Sequence, residues 1–249
     1  MLRQRKTEVV FARGPTPLNP LAWTGPISEL DENIGAIPTE IFANLQDQAD
    51  RSELLKNLPQ VALLIILGGF LLRRGRVWTA ALSRSARGLG PPVISYPLEA
   101  LILLVEIALP WFGLVMLLFA AETSGLFGEA GQALLQAVRR FGLFAIVGTA
   151  FVRRLLPPAP DEQEFVALDA NKARRARRLG LSIVYAVALG QGVGLFLSQV
   201  EVSEVTRAFT LFPLFAVLGY LIFRFSRLFT LTQSEKEDED ASTFSLRLL

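Results

Sequence analysis

Residues 98–121 read LEALILLVEIALPWFGLVMLLFAA. Of these 24 residues only Glu99 and Glu106 carry charge. As a helix rising ~1.5 Å per residue the stretch would extend about 36 Å, enough to cross a hydrocarbon core of about 30 Å with some tilt. A water-soluble helix of that length needs a polar face, and this one has none. The expected fold is therefore all-α, with the chain passing through a bilayer.

Within this stretch Glu99 and Glu106 are seven residues apart and share one helix face. Glu99 lies at the end, within reach of the interface. Glu106 lies about 12 Å in from the start of the stretch, where a carboxylate is costly unless protonated, paired or hydrated. It is a candidate for an ion or proton path, or for a hydrogen bond between packed helices, and the structural role is the more economical. Pro110 is expected to kink the helix.

Composition agrees. The chain has 249 residues, 51% apolar, and a mean hydropathy of +0.41, high for a water-soluble protein. It has neither Cys nor His. That excludes disulfides, thiolate nucleophiles and Cys-ligated metal, and it removes the commonest general base and transition-metal ligand. No catalytic residue, cofactor or metal ligand is assigned, and an enzyme is not expected. The net charge of +2 gives no field that would favour nucleic acid.

Outward from the central stretch, four further apolar segments appear. The five spans are placed at about 54–72, 98–121, 134–156, 179–200 and 208–229, forming a transmembrane domain over 54–229. Residues 1–53 read as an external segment. It holds the string RGPTPLNPLAW (13–23), whose prolines disfavour regular structure, and an amphipathic helix from Thr39, with Ile41 and Leu45 on its stripe. Such a helix can lie on the membrane surface. The first span is expected to stop at Arg73, Arg74 and Arg76, with a short interfacial helix beyond. Gly68 and Gly69 would permit close helix contact, as would GQGVG (190–194) in the fourth span, which lacks the strand a nucleotide-binding glycine loop requires. Arg139 and Arg140 fall inside the third span, where snorkelling is favoured over pairing with Glu106. Residues 230–249 read as a charged linker.

The basic run at Lys172, Arg174, Arg175, Arg177 and Arg178, and the turn at Arg73, Arg74 and Arg76, serve as topology signals and as candidate contacts for anionic lipid. The two loops holding them carry twelve basic residues against at most three on the opposite side. The basic loops are therefore expected in the cytoplasm, with the N-terminus outside and the C-terminus inside. An external N-terminus without a signal sequence leads to the expectation that the chain is the middle of a longer protein.

The string at 13–23, the five spans and the basic loops together resemble the membrane-sensor region of large bacterial proteins of the small-conductance mechanosensitive channel (MscS-type) superfamily. The resemblance covers nearly the whole chain. It implies a homo-oligomer, typically a heptamer, in the bacterial inner membrane, with membrane lipids as partners. The glycine- and alanine-rich pore helix and β-rich vestibule of that family have no counterpart here, so no pore residue carries over. The implied role is to couple bilayer tension to a pore that begins after Leu249. The competing readings are a transporter subunit using Glu106 and a non-conducting membrane scaffold.

Overall fold

The computed structural model describes residues 17, 20–46, 48–86, 92–156 and 170–246, with side chains described for Pro17, 22–46, 55–75, Trp78, 100–156 and 171–228. Among the described residues the chain is entirely helical. A 3-10 turn, Pro20–Trp23, leads into α1 (Thr24–Gln46). There follow α2 (Gln48–Ala86), α3 (Pro92–Thr123), α4 (Glu129–Leu155), α5 (Ala170–Gln199) and α6 (Glu204–Leu246). Helices α2 to α6 each contain a segment long and apolar enough to cross a membrane: Leu55–Gly75, Ala100–Thr123, Glu129–Leu155, Asn171–Gln199 and Glu204–Leu228.

Several boundaries differ from those the sequence implies. Helix α1 begins at Thr24, not Thr39. Pro26 falls in its first turn, where a missing N–H costs nothing. Thr39 lies inside the helix, its hydroxyl donating to the carbonyls of Gly35 and Ala36. Helix α2 runs straight through Arg73, Arg74 and Arg76 to Ala86. Arginine is a good helix former, so it ends the apolar segment but not the helix. Likewise α6 continues through the acidic stretch 235–240 to Leu246, where a linker was expected. Helix α3 is continuous through Pro110, which is buried. The residues at 1–16, 157–169 and 247–249, including most of the proline-rich string and Asp161, Glu162 and Glu164, lie outside the described residues.

Among the described residues half of the buried apolar side chains are alanines (Ala120, Ala133, Ala137, Ala145, Ala150, Ala176 and Ala188), the rest including Phe196, Leu197 and Phe209, while Ile66, Leu104, Phe112, Phe215, Tyr220 and Phe223 are exposed. In water the larger side chains would gain most from burial. Many large apolar residues outside, with small residues at the helix contacts, suits helices solvated by lipid, where close backbone approach drives packing. The α2–α3 contact shows how close. A Cβ on Gly68 would stand 2.8 Å from the Gly113 carbonyl oxygen, and one on Gly113 would stand 2.9 Å from that of Gly68. Gly69 faces open space. Of the three glycines in the 190–194 string, Gly192 alone is in close contact across α4 and α5, against Ala137 and Phe141, and Val193 beside it packs on the Ala133 and Ala137 cluster.

The helices pack in chain order: α2 on α3, α3 on α4, α4 on α5 and α5 on α6. Short turns at 124–128 and 200–203 make α3 and α4, and α5 and α6, antiparallel neighbours. Asn57 near the start of α2 donates to Thr123 O at the end of α3, and Gln199 at the end of α5 donates to Gln136 in α4. The result is an open row. Of the most apolar window in each span, 6% is buried in α2 and in α6 at the two edges, against 33% in central α4.

Helix α1 lies across one end of this row, touching α2, α4 and α6. Glu29 meets α6 and Glu40 meets α4, eleven residues apart and so about 16 Å along the axis. Two interhelical spacings of ~8–10 Å make the same distance, as a row with α5 between α4 and α6 requires.

Candidate functional site

The two ends of the row have opposite chemistry. At the end crossed by α1, the helix termini are satisfied by carboxylates and amides from α1. Ser203 precedes the first residue of α6, and its hydroxyl accepts the Thr206 N–H, an ordinary N-cap. A capping box would place Glu at position 206 to receive the Ser203 N–H. Here that position is Thr206, and the acid comes from Glu29 of α1. Glu29 accepts the Ser203 N–H at 2.7 Å, the Ser203 hydroxyl at 2.8 Å and the buried Thr206 hydroxyl. The Thr206 hydroxyl first, then the amide and hydroxyl of Ser203, hold the Glu29 carboxyl below the usual carboxylate range.

Helix α4 is capped in the same way. Gly128 at its N-cap has no side chain to offer. The Glu40 carboxylate accepts the N–H groups of Ala130 and Gly131 at 3.5 and 3.3 Å. Eleven residues of helix return to within about 20° of the same face, so Glu29 and Glu40 both look down on the row. Asn44, one turn further, donates to Leu126 O in the α3–α4 turn. Leu30 and Ile37 of α1 pack on the cluster of Ala133, Ala137, Phe196 and Leu197, and Trp23 stacks edge-on against Phe209 of α6, ring centroids 5.3 Å apart. Ile27, Ile34, Phe42 and Leu45 form a second, exposed apolar face of α1.

Arg139 also belongs to this end. It pairs with Glu122 at the close of α3, N to O 2.5 Å, not with Glu106. Glu106 lies sixteen residues away from Glu122 along α3, about 24 Å deeper. It is half-buried, about 9 Å from the Ala100 end of the span. Arg140 is exposed. Glu99 falls on α3 toward the other end, and its side chain lies outside the described set, as does that of Arg76.

The opposite end is basic. Arg153 and Arg154 close α4, where cations complement the helix dipole. Lys172 lies in the first turn of α5, where it opposes the dipole and no acid is present, and Arg174, Arg175, Arg177 and Arg178 follow in the next turns. The structure gathers only part of this set. Arg175, Arg178 and Leu179 of α5 meet Arg224 and Leu228 of α6 around a cleft of about 570 Å³. Lys172, Arg174 and Arg177 do not line it. Arg73 and Arg74 are exposed on α2, at the far edge of the row. Beneath the cleft Leu156 and Ala176 are buried together, with Val152, Ala173, Phe225 and Leu228 around them.

Sequence reasoning singled out Arg175 and Arg178 but not Arg224. The signal for the cleft is that two rows at helical spacing, 175–178–179 and 224–228, each combine arginine with leucine. The signal for the two caps was weaker. It consists of two glutamates eleven apart on one helix, and two helix starts without an acid of their own at the third position. Among the described residues no group of His, Cys, Asp or Glu is arranged to hold a metal ion. No protein-family profile, curated protein or solved structure matches the chain.

Proposed function

We propose that this chain is the bilayer-sensing part of an MscS-type mechanosensitive channel. In this reading it is a homo-oligomer in the bacterial inner membrane, its basic end in the cytoplasm and α1 outside, and it passes changes in bilayer tension to a pore-forming element. The observation that carries the reading is the open row. Among the described residues each spanning helix packs mainly on its chain neighbours, α1 adds contacts to α2, α4 and α6, and the two edge spans are almost wholly unburied.

Physically, a closed bundle resists changes in its cross-section because every helix is held on several sides. An open row is held mainly by hairpin contacts, so tilting its edges costs little. Mismatch between helix and bilayer changes energy by fractions of a kcal/mol per Å. Summed over several subunits, that reaches the few kcal/mol needed to shift a two-state gate. The row also disfavours a transporter site at Glu106 shared with the later helices, because among the described residues α3 packs mainly on α2 and α4.

The chain has no Cys, so spin labels can be placed one pair at a time. One pair joins the edges, Ile66→Cys with Phe215→Cys; the other stays within a hairpin, Ile66→Cys with Phe112→Cys. Adding lysolipid to one leaflet of a liposome mimics tension. The edge-to-edge distance should shift while the hairpin distance stays fixed. An edge distance indifferent to lysolipid would overturn the tension-sensing reading.

A further inference from the structure

We infer that the cleft between α5 and α6 is a binding site for the phosphate headgroup of an anionic membrane lipid, with two-phosphate lipids preferred. It depends on the chain's being in a membrane and not on tension sensing, so either reading can fail alone.

The cleft brings three guanidinium groups, Arg175, Arg178 and Arg224, around one space, with Leu179 and Leu228 as its apolar lining. Among the described residues that line it, none is acidic. Guanidinium groups present fixed forks of N–H donors that match phosphate oxygens two at a time. Three of them offer more charge than one phosphodiester neutralises, which is the ground for expecting two phosphates. A volume of about 570 Å³ lies within the range of sites that hold small ligands.

Two further features point to an anion. Arg175 and Arg178 are three residues apart on α5, one turn of helix, so their like charges repel. An anion in the cleft would relieve that repulsion. The cleft also adjoins the apolar cluster at Leu156, Ala176 and Phe225, so a headgroup seated there leaves its acyl chains beside greasy side chains. Inorganic phosphate would gain the first set of contacts and not the second. Basic pockets between membrane helices are the general setting for such headgroups.

Native mass spectrometry of the full chain in detergent, titrated with cardiolipin, phosphatidylglycerol, phosphatidylcholine and inorganic phosphate, tests the assignment. Cardiolipin should bind best, phosphatidylglycerol next and phosphatidylcholine least. Arg175→Gln, Arg178→Gln and Arg224→Gln should each weaken cardiolipin binding about fivefold. Arg224→Lys should lose less. Arg227→Gln is the control: Arg227 lies one turn beyond Arg224 but over the Phe223 ring, 5.9 Å from its centroid, and does not line the cleft. It should bind cardiolipin as the unaltered chain does. The lined arginines are exposed, and equal helix content by circular dichroism confirms that each variant folds. The assignment is overturned if Arg227→Gln costs as much as Arg224→Gln, if phosphatidylcholine binds as well as cardiolipin, or if inorganic phosphate at matched concentration displaces the lipid.

Discussion

At the scale of single residues, two positions carry most of the information about how α6 is set in place. Glu201 adopts a left-handed backbone, φ 52°, in the turn between α5 and α6. A side chain there costs roughly 1 kcal/mol that glycine does not incur. Glu201→Gly should therefore leave the fold intact and raise its stability by up to about 1 kcal/mol, read from denaturation in detergent. Glu29 gives a pH dependence of definite sign. Its carboxyl is held below the usual range only when α1 is docked. The docked state is therefore favoured at pH values above the ordinary carboxylate range, and that advantage is lost as pH falls through the lowered value. A spin label at Glu32, on the exposed side of α1, should become more mobile across that acid window. In Glu29→Gln the mobility should no longer change there. Neither residue was legible as functional in the sequence. Glu29 meets its partners across 174 and 177 positions of chain, and left-handed backbone is a property of the turn, not of glutamate.

At the scale of elements, the spans were legible because lipid imposes a minimum length of apolar sequence on any helix that crosses it. Their ends were not, because arginine and glutamate end an apolar run without ending a helix, as α2 at Arg73 and α6 at 235–240 both demonstrate. The Gly68 and Gly113 contact was half visible. Gly68 could be picked as a packing residue, but nothing in the sequence distinguished it from Gly69. The structure does so. Gly68→Ala should destabilise the α2–α3 hairpin by about 1–3 kcal/mol, since the new Cβ meets backbone that cannot turn aside. Gly69→Ala, facing open space, should be neutral or slightly stabilising. Unfolding in sodium dodecyl sulfate, followed by circular dichroism, separates the two. The α1 caps are an element-scale device as well. Glu40→Ala should cost about 1 kcal/mol through the uncapped start of α4, and hydrogen exchange at Ala130 and Gly131 would report it locally.

At the scale of the whole molecule, the account is of a sheet of five rods, one helix thick, with a sixth helix laid over its rim as a tie-bar. The basic cleft opens at the other rim, between the last two rods. Burial decides for the open arrangement: a closed bundle would not leave the α2 and α6 spans 6% buried. The order of the rods was not readable beforehand, because hydropathy gives the number of crossings and says nothing of which faces meet. The distance between the edges tests this most directly. Four interhelical spacings separate α2 from α6, so nitroxides at Ile66 and Phe215 in resting liposomes should lie about 30–40 Å apart. A distance of about 10 Å, one spacing, would mean that the edges touch and the row is closed, contradicting the account.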